Sequence, residues 1–242
     1  NGYIGQLQHV TVGIGGPPED RPLPAQPVPD YLDWDMWLGP VLWRPYNEEL
    51  SPNISFDGFP NWRNHSEFGG GGMTDWGAHH FDIAQWGLGM DDSGPVKITP
   101  PDGKEVKRLT YKYANESVLI HGGLKGYDFG VVFVGSEGKV CVDRGRFKAE
   151  PESLEKENFE ALPVQLYKSN NHYKDFVDCL RSRKRPICDV EVGARSVTVC
   201  HLGNLAYWNK RALKWDPKTE EFVGDSEANA WKDNAKRGSW KV

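Results

Sequence analysis

Four short apolar runs between residues 106 and 145 constrain this chain more than any other feature. They read "VKRLTYKY" (106–113), "SVLIHG" (117–122), "YDFGVVFVG" (127–135) and "GKVCVDRG" (138–145). Asn115, Gly122, Gly123 and Gly126 punctuate them, and "GSEG" separates the last two. Runs of that length between turn residues predict an antiparallel meander. Such a sheet must bury a face, and helices are at hand to cover it. "HYKDFVDCLRSRK" places Tyr173, Phe176, Val177 and Leu180 at i, i+3, i+4 and i+7, an amphipathic helix. "VGARSVTVCHLGNLAYW" (192–208) reads as a more buried helix, and "LKWDPKTEEFV" as two short strands around an Asp-Pro turn.

Ahead of the meander, "LQHVTVGI" (7–14) alternates as a strand, and a helix is expected around Phe81 to Leu88. Between them residues 16–68 have almost no periodicity but are rich in Pro, Trp and acids, an insertion whose Trp content argues for order. The fold class expected is α+β: one domain over residues 1–242, a largely antiparallel sheet with helices on one face and the other face available for oligomerisation. At 242 residues the chain is long enough for such a core.

Composition removes several function classes. Net charge is −5 with acids and bases interleaved, so no basic footprint suggests nucleic acid or a membrane surface. No run is long and apolar enough to span a bilayer. Cys141, Cys179, Cys188 and Cys200 include no C-x-x-C pair and leave the compartment open, cytoplasmic or exported. N-x-S triplets begin at Asn53, Asn64 and Asn115. The chain opens on Asn-Gly-Tyr without an initiator Met, which suggests that a preceding segment has been removed.

Two glycine-rich stretches invite a nucleotide reading. "VTVGIGGPP" (10–18) follows a strand, but it lacks the third glycine of the dinucleotide fingerprint. Pro17-Pro18 also stands where a helix would have to offer N–H groups to a pyrophosphate. "FGGGGMTDWGAHHFDIAQWGLG" (68–89) has no Lys-Ser or Lys-Thr after its glycines and is no P-loop. At 100° per residue, Asp75, His79, Asp82 and Trp86 fall within a stripe roughly 60° wide on a helix otherwise apolar or small. A line of carboxylates and imidazole on such a helix is either a structural Asp–His–Asp hydrogen-bond ladder or, the favoured reading, the lining of a site with His79 as acid/base and a carboxylate orienting it. The glycines would let a flat ligand approach the helix start.

His80, toward the apolar side, and His201, inside its helix, are expected to be core histidines. A metal held by Asp75, His79 and Asp82 is weighed and set aside for want of an H-E-x-x-H pattern. In "DYLDWDMWLGPVLWRPYNEE" (30–49), Trp34, Trp37 and Tyr46 offer flat faces beside polar groups and are candidate polyol binders, together with Arg63 and Asp82.

"NGYIGQLQHV", "LDWDMWLGP", the D-x-x-x-H-x-x-D helix after its glycines, "GSEGKVCV", "NHYKDFVDCLRSRKRPICDVEVGARS" and "LGNLAYWNKRALKWDPKTEEFVGDSEAN" together cover essentially the whole chain. In these the chain resembles the C-terminal domain of the Gfo/Idh/MocA oxidoreductases. The resemblance implies a substrate-binding and oligomerisation domain of an enzyme that moves hydride between NAD or NADP and a sugar or polyol. His79 and Asp75 would then be catalytic beside the nicotinamide. The family's Rossmann domain has no counterpart here, so this chain alone is not expected to bind NAD(P), and a truncated parent enzyme is favoured over a stand-alone domain. The competing readings are a nicotinamide-free carbohydrate lyase or hydrolase using the same two residues, and a non-catalytic carbohydrate-binding or assembly module.

Overall fold

The computed structural model describes residues 2–238. Its strands are β1 (Leu7–Gly13), β2 (Lys97–Thr99), β3 (Thr110–Lys112), β4 (Val118–His121), β5 (Gly130–Gly135), β6 (Lys139–Asp143), β7 (Arg146–Glu150), β8 (Leu213–Asp216) and β9 (Glu221–Phe222). They form a nine-stranded sheet in the order β7–β6–β5–β1–β4–β3–β2–β8–β9. The α+β class and the mostly antiparallel sheet are as expected, but the meander is interrupted. β1 lies between β4 and β5, parallel to the first and antiparallel to the second. Its side chains explain the slot: Val10 and Val12 are fully buried, and Val10 sits opposite Leu119 on one side and Phe133 on the other. A strand that needs cover and two paired edges belongs in the middle.

The helices are α1 (Trp34–Leu38), α2 (Gly72–Asp75), α3 (Gly77–Gly87), α4 (His172–Ser182), α5 (Val190–Asn209) and α6 (Ser226–Ala230). α3 and α5 lie side by side on one face of the sheet, α3 against β1 and β5 and α5 against β2. Between them and the strands, Phe81, Tyr111, Leu119, Val131, Val199 and Leu202 form the core. Each such side chain contributes roughly 1.5–3 kcal/mol by leaving water. α4 forms where its spacing predicts, capped by Asn171, yet its apolar stripe is uncovered: Tyr173, Phe176, Val177 and Leu180 are all exposed.

The insertion folds around a small core of its own. Trp34, Leu38, Tyr46 and Leu50 are buried, with Leu23, Leu32, Trp37, Trp62 and Phe68 packed against them. Asp33 starts α1 by accepting a hydrogen bond from the Met36 N–H at 2.9 Å. Glu49 gathers Arg21, Asn61 and His65, and these hydrogen bonds outweigh its burial and hold its carboxyl below the ordinary range. Arg237 reaches back from the far end of the chain to Asp35 (2.6 Å) and to the Val41 carbonyl (2.8 Å). Order in this segment therefore comes from side-chain packing and ion pairs, with little regular structure.

Candidate active site

α2 and α3 are one helix interrupted at Trp76, whose own backbone stays right-handed helical (φ −74°, ψ −26°), so Asp75 and His79 remain one turn apart on a shared face. What fixes this helix is the glycine run before it. Gly71 has φ +62°, and a Cβ there would stand 2.5 Å from the Pro18 nitrogen. A Cβ on Gly72 would stand 2.8 Å from the Gly15 Cα, and the Met73 N–H donates to the Gly16 carbonyl at 3.0 Å. The glycines thus admit the chain's own Gly15–Pro18 segment, not a flat ligand as expected. The same packing decides the dinucleotide question. Gly72 backbone fills the space beside Gly15, the Gly16 carbonyl is taken by the Met73 N–H, no helix starts directly after them, and these residues do not fit a dinucleotide phosphate.

The helix is not apolar and buried all round. Met73, Gly77, His80, Phe81, Ala84 and Gln85 face inward, while Asp75, Trp76, His79 and Trp86 are exposed. The His79 imidazole makes no hydrogen bond to a described residue; its ring lies 6.0 Å from that of Trp76, edge to face. Asp75 does not bond His79 either, and its partner is Arg63, with Nε 3.8 Å from Oδ1. Arg63 is held over the Trp62 ring at 4.5 Å and the Phe59 ring at 5.2 Å. Trp76 packs edge-on to Phe129 at 5.3 Å and carries the Arg144 guanidinium 5.7 Å from its ring centre. The result is an open shelf: a carboxylate, an unpaired imidazole and an arginine beside an exposed indole.

Other expected site residues lie elsewhere. Asp82 accepts a hydrogen bond from Ser196 Oγ at 2.7 Å and ties α3 to α5. Trp34 and Tyr46 are buried inside the insertion, with the indole N–H donating to the Arg44 carbonyl (2.8 Å) and the phenol to the Ser51 carbonyl (3.0 Å). They present no face to a ligand. Trp37, half-buried, stacks on Trp34 at 4.6 Å and meets Phe68 edge-on. The aromatic beside His79 is Trp76.

His80 is fully buried as expected. Its Nδ1 faces the Trp76 carbonyl at 3.1 Å and its Nε2 the Asp143 carboxylate at 3.3 Å, joining the helix to β6. His201 departs from expectation: it is exposed on α5 and lines a cavity of about 700 Å3 that contains neither Asp75 nor His79. Partial burial in that cavity holds its imidazole below the ordinary histidine pKa.

With this geometry in place, comparison with known proteins decides the family. The sequence matches the C-terminal alpha/beta domain of the Gfo/Idh/MocA oxidoreductase family over residues 19–242. The chain belongs to this family. Among solved structures it is similar to an aldose-aldose oxidoreductase from Caulobacter crescentus complexed with glycerol (13% identity, 88% of this chain and 57% of that one, TM-score 0.45). It is also similar to an NAD-binding protein from Listeria innocua (16% identity, 87% and 60%, TM-score 0.43). The chain therefore spans less than two-thirds of the length of these two structures. No curated protein matches the sequence.

Proposed function

We propose that this Gfo/Idh/MocA domain is the substrate-binding and oligomerisation part of an NAD(P)-dependent oxidoreductase acting on a sugar or polyol. The observation that carries the reading is the exposed His79, its imidazole bonded to no described residue, one turn from Asp75 on a helix whose opposite side is locked into the core. In the family the nicotinamide supplies the hydride acceptor; these residues handle the other half of an alcohol oxidation. The His79 imidazole, with no competing hydrogen bond among the described residues, is free to take the hydroxyl proton as the carbonyl forms. Asp75, paired with Arg63, places negative charge on the same face to support the imidazolium that results. Trp76 offers a flat surface for the C–H face of the ring or chain being oxidised.

The open shelf is half a pocket, consistent with a second domain closing over it. The complete protein should oxidise members of a polyol and aldose panel with NAD or NADP, and residues 1–242 alone should neither turn over substrate nor bind the dinucleotide. Micromolar binding of NAD(P) to residues 1–242 by calorimetry would overturn this division of labour, as would a complete protein inert toward the whole panel. The sheet face turned away from α3 and α5 is the proposed dimer surface. Light scattering at high concentration should give more than the mass of one chain, and a single-chain mass there contradicts that part.

A further inference from the structure

The cavity beside His201 lies apart from the shelf, and three distant segments build it. Thr198, His201, Leu205 and Trp208 contribute a stripe along α5. Trp62 and Phe68 come from the end of the insertion, and Phe222, Trp231 and Lys232 from the last strand and helix onward. None of Asp75, His79, Asp82 or Trp86 lines it, although Thr74, the neighbour of Asp75, does. At about 700 Å3 it falls within the roughly 300–1,000 Å3 of sites that hold whole small molecules.

Its chemistry narrows the occupant. Trp62 and Trp231 each have an arginine over the ring, Arg63 at 4.5 Å and Arg211 at 4.7 Å, which fixes both indoles. Its two carboxylates are already neutralised by arginines, Glu67 by Arg44 at 2.7 Å and Glu220 by Arg195 at 2.9 Å. Lys232 is turned to the Glu220 carbonyl at 3.0 Å. The His201 imidazole bonds no described residue, and in its neutral form it offers one donor and one acceptor. Flat apolar rings, paired carboxylates, an ammonium held by a backbone carbonyl and an uncommitted imidazole match a ligand with C–H faces and hydroxyls and call for no charge on it. We infer that this cavity is a second, non-catalytic site for a short neutral oligosaccharide, independent of the proton chemistry at His79.

Titration calorimetry of the protein tests this with maltotriose, cellotriose, chitotriose in its N-acetylated form, and trigalacturonic acid as the charged counterpart. At least one neutral trisaccharide should bind, and more tightly than the acid. Trp208→Ala and His201→Ala, both at exposed positions on α5, should each weaken that binding by roughly tenfold or more with unchanged melting temperature. Trp208→Phe should restore most of it, and His79→Gln should leave it unchanged. The inference is overturned if no neutral trisaccharide binds up to millimolar concentration, if the acid is preferred, or if His79→Gln abolishes binding while Trp208→Ala and His201→Ala do not. Because the readout is binding and not turnover, its failure leaves the reading of His79 standing, and the converse holds too.

Discussion

His79 and His80 are neighbours in sequence and opposites in circumstance. His80 is fully buried, with an acceptor at each ring nitrogen and Phe129 and Trp76 around it. His79 is exposed, and its imidazole makes no hydrogen bond to a described residue. The same contrast runs along the helix. Its inner side meets backbone at the glycines, the core at Phe81 and Asp143 on β6 at His80, while its outer side carries Asp75, Trp76 and Trp86 into solvent. One side is packed and the other carries polar groups into solvent, the arrangement that the proposed site requires.

Substitutions along the helix test that contrast, and stability effects should fall in order from the locked side to the open one. Gly71→Ala should cost the most, about 2–4 kcal/mol, because the new methyl meets Pro18 in a left-handed backbone conformation. Chemical denaturation measures it, and a loss below about 0.5 kcal/mol would mean that the Gly15–Pro18 contact does not seat the helix. His80→Leu should cost about 1–3 kcal/mol by leaving Asp143 without its imidazole partner. Arg146, 3.8 Å from the same carboxylate, keeps the loss from being larger. Ser196→Ala should cost about 1 kcal/mol through the lost bond to Asp82, read as a small drop in melting temperature. His79→Gln should fall within about 0.5 kcal/mol of the parent, as surface substitutions do. If His79→Gln instead proved as costly as His80→Leu, the two sides of the helix would not differ.

Much of this was legible in the sequence, and the exceptions share a cause. The alternation in "YDFGVVFVG" and "GKVCVDRG" located β5 and β6, and the heptad-like spacing in "HYKDFVDCLRSRK" located α4, because those signals are local. The place of β1 between β4 and β5 was not legible, since strand neighbours more than 100 residues apart leave no periodic trace. β2, with three residues, is too short to show alternation. At the candidate site, the D-x-x-x-H spacing put Asp75 and His79 on one face, but residue type alone could not say which tryptophans stay exposed. Trp34 is buried by Tyr46 and Trp37, whereas Trp76 is left exposed by the same fold. The glycines misled for the same reason, their neighbour being a segment more than 50 residues earlier. His201 sits on the outward stripe of α5, a distinction that a helix mixing buried and exposed apolar residues does not advertise.

The central claim is that the open side of this helix carries the proton chemistry. The most direct test is turnover of His79→Gln in the complete enzyme, measured beside its melting temperature and beside His80→Leu. The account predicts a fall in kcat of about 10²–10⁴-fold for His79→Gln at unchanged stability, the usual worth of a positioned acid–base group. It also predicts that His80→Leu loses stability in greater proportion than kcat. Near-normal turnover in His79→Gln, at any melting temperature, would contradict it.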